Sequence, residues 1–240
     1  MYGSRSAVSG NLSVRCYLCG IPVTKHQVGP GQKHPPDDLV PDHVPPKGLF
    51  PKPRPDNLIK VPCCFACNNK HSGFDERLRM VAAMPFDRNE AGQRILHEKV
   101  AGKTLAKGRQ IHFAAKLIAS KRAMPKHPEL IKVTVDTPEF AEGMIRITKG
   151  LLFALHPGFD YYKSIFWAQA IHPQPFDAQL KLMAGLKKQG QHFERGQRVF
   201  RCWRSVEAST GVGCWMLVFY ECLGFFVFHR NGSEPDCLKP

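Results

Sequence analysis

Two C-x-x-C pairs, Cys16-Tyr17-Leu18-Cys19 and Cys64-Phe65-Ala66-Cys67, stand 44 residues apart in the first part of a 240-residue chain. Each spacing puts two sulfurs on one turn, where both reach a single ion at ~2.3 Å, and two such turns complete a closed tetrahedral zinc site. The stretch between them needs such a clamp. Ten of the 20 prolines lie between Pro30 and Pro62, which rules out continuous helix or central strand there and leaves an irregular loop with short strands. Zinc binding contributes ~10–16 kcal/mol in small modules, enough to order a loop with little apolar core. Structural Zn2+ on Cys16, Cys19, Cys64 and Cys67 is therefore the expected cofactor. Cys63 competes with Cys64, and the two-residue gap to Cys67 favours Cys64. Buried thiols or a redox dithiol are the competing reading, because a lone C-x-x-C is a weak signal where a pair is a strong one.

The remaining cysteines, at 63, 202, 214, 222 and 237, are read as ordinary reduced thiols. Nine is an odd count, and no apolar stretch of signal-peptide type follows Met1, so the expected location is cytoplasmic. Residues 212–228 tempt a membrane reading, but Glu221 and Gly224 interrupt them. They fall short of the ~20 residues a span requires, and their Trp, Phe, Val and Tyr content suits strands. A composition with 43% hydrophobic and 22% charged residues excludes disorder, collagen and coiled coil. A formal charge of +14 points to a polyanionic partner. It is carried unevenly: residues 1–80 hold +5, 81–130 hold +6 and 131–240 hold +3.

Ser72, with Asp75 three residues on, has the form of a capping box leading into a helix that ends before Pro85. Residues 89–122 read as helix broken at Gly102 and Gly108, with Lys103, Lys107, Arg109, Lys116, Lys121 and Arg122 on the solvent face. Residues 130–135 read as a strand. Thr137 then caps a helix with Pro138 at its first position, and Phe140, Met144, Ile147, Leu151 and Leu155 recur at spacings of three and four as a core stripe. Residues 176–188 read as helix, and 198–206, 212–221 and 225–230 as strands of a meander. His97, His112, His156 and His229 show no ligand spacing and are read as structural.

Between the knuckles lie Pro41-Asp42-His43-Val44-Pro45-Pro46 and Asp56-Asn57-Leu58-Ile59-Lys60-Val61-Pro62, and Asn68-Asn69-Lys70 follow the second knuckle at once. This order resembles the zinc-containing members of the HNH endonuclease family, the ββα-metal nucleases: C-x-x-C, then D-H, then N-L, then C-x-x-C-N. The match spans about residues 14 to 80. The string from Asp42 to Pro51 also resembles a bacterial HNH subgroup. The resemblance implies an α+β protein that opens with a zinc-bound ββα-metal module, residues 1–84. A basic helical segment follows at 85–130, and an α+β region with a small antiparallel sheet at 131–240. It further implies a phosphodiester hydrolase leaving 3′-hydroxyl and 5′-phosphate ends. Asn68 would be a ligand of the catalytic cation with His71 in reserve, and Asn57 would steady His43 through hydrogen bonds. Asn68 stands where other members have the last histidine.

The residues themselves support that chemistry. Hydrolysis of a phosphodiester needs an activated water and a cation against the charge that grows on the phosphoryl oxygens. His43 suits the role of general base, being largely neutral at pH 7. Asp42 offers a hard oxygen to Mg2+ or a similar divalent cation. Lys47, Lys52, Arg54, Lys60 and Lys70 surround the site in sequence and can neutralise phosphates. Nucleic acid, DNA foremost, is the expected partner, and no membrane is. The alternative is a catalytically silent zinc module that binds nucleic acid. Activity seated in the C-terminal region is a third reading, with no recognisable acid/base pair or phosphate loop to support it.

Overall fold

The computed structural model describes residues 14–232 except 109, 121, 125, 126, 133–136, 173 and 208, and the side chains at 122–124, 127–132 and 137 are likewise left out. Arg109, Lys121, Cys237, residues 133–135 of the expected strand and the capping side chain of Thr137 lie outside the described residues.

The protein is mixed α+β. Its N-terminal part begins with the Cys16–Cys19 turn, closed by the Arg15↔Pro22 bridge. Strand β1 (Leu39–Val44) pairs antiparallel with β2 (Ile59–Cys64), placing Asp42 opposite Val61 and His43 opposite Lys60. The proline-rich connection between them contains only a single 3-10 turn, Lys47–Leu49. Helix α1 (Phe65–Ala83) starts directly after β2. The expected cap at Ser72 is wrong by eight residues, because the Sγ of Cys64 accepts the N–H of Cys67 and caps the helix there. Ser72 lies mid-helix, its hydroxyl donating to the carbonyl of Asn69 at 2.9 Å, the local bond that a serine away from a helix end commonly makes.

Next come α2 (Glu90–Ile95), a π-helical segment at Leu96–Leu105, and α3 (Ile111–Ala119). The π-helical turns run through Gly102, so the expected break there does not occur. The chain does turn at Gly108, whose φ of +68° is left-handed. A short hairpin of β3 (Arg122–Met124) and β4 (His127–Lys132) leads to α4 (Thr137–Leu155). The expected stripe on α4 is core: Phe140, Met144, Ile147 and Leu151 are all buried.

Beyond α4 lies a five-stranded antiparallel sheet ordered β5-β9-β8-β7-β6. Its strands are β5 (Ser164–Ala170), β6 (Gln191–Arg195), β7 (Phe200–Glu207), β8 (Val212–Phe219) and β9 (Leu223–Asn231), with α5 (Asp177–Gln189) between β5 and β6. Alternation along β8 and β9 decides the layers. Trp215, Leu217, Phe225 and Val227 face the main core, whereas Met216 and Phe226 face Leu186 of α5. The 212–228 stretch is thus a buried pair of strands, and no helix among the described residues is long and apolar enough to cross a membrane. One apolar core runs from Cys16 and Tyr17 through α1 and α4 to the sheet, joining the three regions expected from sequence.

Candidate functional site

Two tight turns bring four thiols together. The Sγ atoms of Cys16, Cys19, Cys64 and Cys67 all lie within 4.8 Å of one another, and those of Cys19 and Cys64 are 3.8 Å apart. Four sulfurs at ~2.3 Å from one ion stand ~3.8 Å apart in a regular tetrahedron, so the donor set fits zinc in number, softness and spacing. Backbone N–H groups of Leu18 and Cys67 point at the Sγ of Cys16 and Cys64, each at 3.4 Å. The rivalry between Cys63 and Cys64 is resolved by geometry. Cys64 belongs to the cluster, while Cys63 lies outside it with its Sγ hydrogen-bonded to the Sγ of Cys16 at 3.9 Å. That bond is the chief reason the Cys16 thiol is pulled down to about 4. Burial raises Cys19 and Cys67. Without an ion the four cannot all be thiolates, and a divalent cation removes that conflict.

The knuckle is tied to the strand beside it. Tyr17, wholly buried between two of the cysteines, donates its hydroxyl to Asp42 Oδ2 at 2.7 Å. Asp42 Oδ1 accepts the backbone N–H of His43 at 2.8 Å. Arg146, from α4, brings Nη1 to 3.7 Å from Asp42 Oδ2 and pairs through Nη2 with Asp75 of α1. Burial pushes the Asp75 carboxyl up to about 6, outweighing the neighbouring guanidinium. His71 lies within reach of the same charges. Burial first, then Arg146 and Lys70, hold its imidazole below the ordinary value, with Glu142 and Asp42 pulling the other way.

His43 occupies the opposite face of β1 and is half-buried. Burial, followed by Lys47 and Lys60, lowers its pKa below 6.5 against a smaller upward pull from Asp42. The imidazole is therefore neutral at neutral pH, with a nitrogen lone pair available. Lys47, Lys52, Arg54, Lys60 and Lys70 are all exposed. The basic surface continues where sequence reasoning was less specific. The ammonium of Lys99, on the π-helical segment, is lowered by burial and then by Arg54, Lys103, Arg79 and Lys52, so these five cations are neighbours. Arg94 also donates to the carbonyl of Lys52 at 2.7 Å.

Two expected residues are less engaged. Asn68 lies in the first turn of α1, next to Cys67, and is partly exposed. Asn57 sits in the exposed turn before β2, where its carbonyl accepts Arg195 Nε at 3.1 Å. Among the described residues no hydrogen bond links the Asn57 side chain to His43, because that side chain lies in a solvent-facing turn. Tyr17 and Arg146 escaped sequence reasoning altogether. The signal for Arg146 was a charged residue set within the apolar pattern of α4, between Met144 and Ile147.

Comparison with protein-family models, with curated proteins and with solved structures finds no match to this chain.

Proposed function

We propose that this chain is a metal-dependent endonuclease of the HNH kind that hydrolyses phosphodiester bonds in DNA. The observation that carries the reading is His43: a neutral imidazole surrounded by Lys47, Lys60 and Arg54, on a β-hairpin whose other end and following helix supply Cys64 and Cys67 to the four-thiol cluster. In this reading the cationic side chains seat the phosphates. A ring nitrogen of His43 takes a proton from the attacking water. The zinc knuckle is structural, its closed set of four sulfurs leaving no position for substrate.

Asp42, with the amide oxygen of Asn68, would hold a divalent cation whose contribution is to offset charge on the phosphoryl oxygens. Asp42 is compatible with that role, because each oxygen of an ionised carboxylate keeps a second lone pair beyond the bonds from Tyr17 and the His43 N–H. One observation favours a second reading, a silent zinc module that binds nucleic acid: Arg146 already sets a positive charge against Asp42.

Plasmid nicking in Mg2+ or Mn2+ decides between them. His43→Ala should lower the rate by roughly 10²–10⁴ while leaving zinc content and DNA affinity intact. Wild-type protein that binds DNA and cuts it in no divalent metal would establish the silent module instead.

A further inference from the structure

Arg146 is a buried cation with incomplete bonding. It is 3% exposed, and it reaches Asp75 from a helix position 71 residues further along the chain. Its guanidinium lies over the ring of Phe74, 5.7 Å from the centroid. Nη2 pairs with Asp75, but among the described residues Nε and Nη1 have no hydrogen-bond partner, and Nη1 stands 3.7 Å from Asp42 Oδ2. Desolvating a guanidinium costs several kcal/mol and is offset only when geometry and bonding are complete. An apolar side chain of the same length would pack α4 at least as well, so packing alone does not account for an arginine here. What an apolar residue cannot do is face two carboxylates, one of which adjoins His43 in the strand.

Arg146 sets its charge against both acids, and Arg79 also acts on Asp75. Tyr17 approaches Asp42 with a neutral hydroxyl. His71 is depressed toward its neutral form, and Glu142 adds a further negative charge nearby. A divalent cation drawn to Asp42 enters a position that already has a cation beside it.

We propose that Arg146 is a positioning residue of the hydrolytic centre: it fixes the Asp42 carboxylate from α4, and a divalent cation arriving at Asp42 must share that carboxylate with it or displace it. The role in hydrolysis rests on the function proposed above, whereas competition between Arg146 and a metal ion does not.

The test uses the full zinc-loaded chain with Arg146→Met, Arg146→Lys and the double variant Asp75→Asn/Arg146→Met, titrated with Mn2+. Two readouts are followed, the melting temperature and the Mn2+ concentration giving half-maximal plasmid nicking. Arg146→Met should melt lower than wild type without Mn2+ and recover part of the loss when Mn2+ is added, a larger rise than wild type shows at the same Mn2+ concentration. Its half-maximal Mn2+ concentration should fall about tenfold, corresponding to ~1.4 kcal/mol. Arg146→Lys keeps the charge without the fork, so its Mn2+ dependence should stay as in wild type while kcat drops about tenfold at unchanged KM for DNA. Identical Mn2+ responses in wild type and Arg146→Met would overturn the proposal. If Arg146→Met does not fold, the double variant, with one uncompensated carboxylate fewer, is read in the same way. If wild type nicks nothing, the nuclease reading fails and the melting data still decide the role of Arg146.

Discussion

Tyr17 joins two kinds of chemistry in one side chain. Its backbone is part of the first knuckle, its carbonyl accepts the Tyr161 hydroxyl at 2.7 Å, and its own hydroxyl holds Asp42. Removing only the oxygen, as Tyr17→Phe, leaves the buried carboxylate short of a donor. A hydrogen bond to a charged group contributes ~1.5–3 kcal/mol, so a loss of that order is expected on denaturant unfolding, with zinc content unchanged. Burial raises the Tyr17 pKa strongly, aided by Asp42, so the hydroxyl stays protonated and a donor at neutral pH. His229 carries a second residue-scale prediction. It is wholly buried between Phe159, Phe166 and Trp215, and burial lowers its pKa to about 4. A folded value below 6.5 means the unfolded chain binds the extra proton. Stability from this group is complete above pH 6.5 and lost as pH falls toward 4, by about 3 kcal/mol in all. His229→Leu should flatten that part of the stability profile, measured as melting temperature at pH 7 and pH 5.

At the scale of elements, α4 is held close by what its glycines lack. A Cβ at Gly143 would lie 1.8 Å from the Phe74 ring, and one at Gly150 would lie 2.5 Å from Val44 and 3.2 Å from Tyr17. With Arg146 between them, these positions form one face at spacings of three and four, pressed onto α1 and the β1–β2 hairpin. Gly143→Ala should therefore destabilise by about 3 kcal/mol through overpacking, which lowers Tm by roughly 6–12 °C in a chain of this size. Gly185→Ala, on α5, has nothing within 4 Å of the added Cβ and should leave Tm unchanged or slightly raised.

The same helix shows what sequence could and could not convey. Its apolar stripe follows directly from 3.6-residue periodicity, and α5 and the β7–β9 meander were legible from propensity in the same way. The start of α1 was not. A thiol caps it at Cys64, where the usual rules look for serine or aspartate. The knuckles announced the four-thiol cluster by spacing alone. The contacts of Asp42 with Tyr17 and Arg146 join residues 25 and about a hundred positions away, and no local pattern encodes such partners. Strands β5 and β6 went unread because each is half-exposed and mixed in composition.

For the whole molecule, the knuckle module is not free-standing. Tyr161 and Tyr162 send hydroxyls to the carbonyls of Tyr17 and Cys16, and Tyr220 sends one to Leu49 at 2.5 Å. Phe74, Val44 and Tyr17 are buried by α4. Stripping zinc with a strong chelator should consequently destabilise the entire chain in one transition rather than melt a separate N-terminal unit, as calorimetry with and without zinc will show. Charge is likewise a property of the whole surface. The basic track from Lys47 through Lys52 and Arg54 to Lys99 and Lys103 predicts salt-sensitive DNA binding. Lys52→Ala/Arg54→Ala should lower the slope of log affinity against log salt by ~0.9 for each phosphate contact removed.

The link between Asp42 and Arg146 also orders events in time. Cys67, the last of the four cysteines, is synthesised roughly 80 residues before the guanidinium that faces Asp42, about 4–16 s at ordinary rates of synthesis. Until then the growing chain has all four thiols but lacks α4, Tyr161 and Tyr162, which hold Asp42 and the first knuckle in place. A polypeptide ended before α4 therefore lacks the contacts that fix Asp42 and cover Val44 and Tyr17.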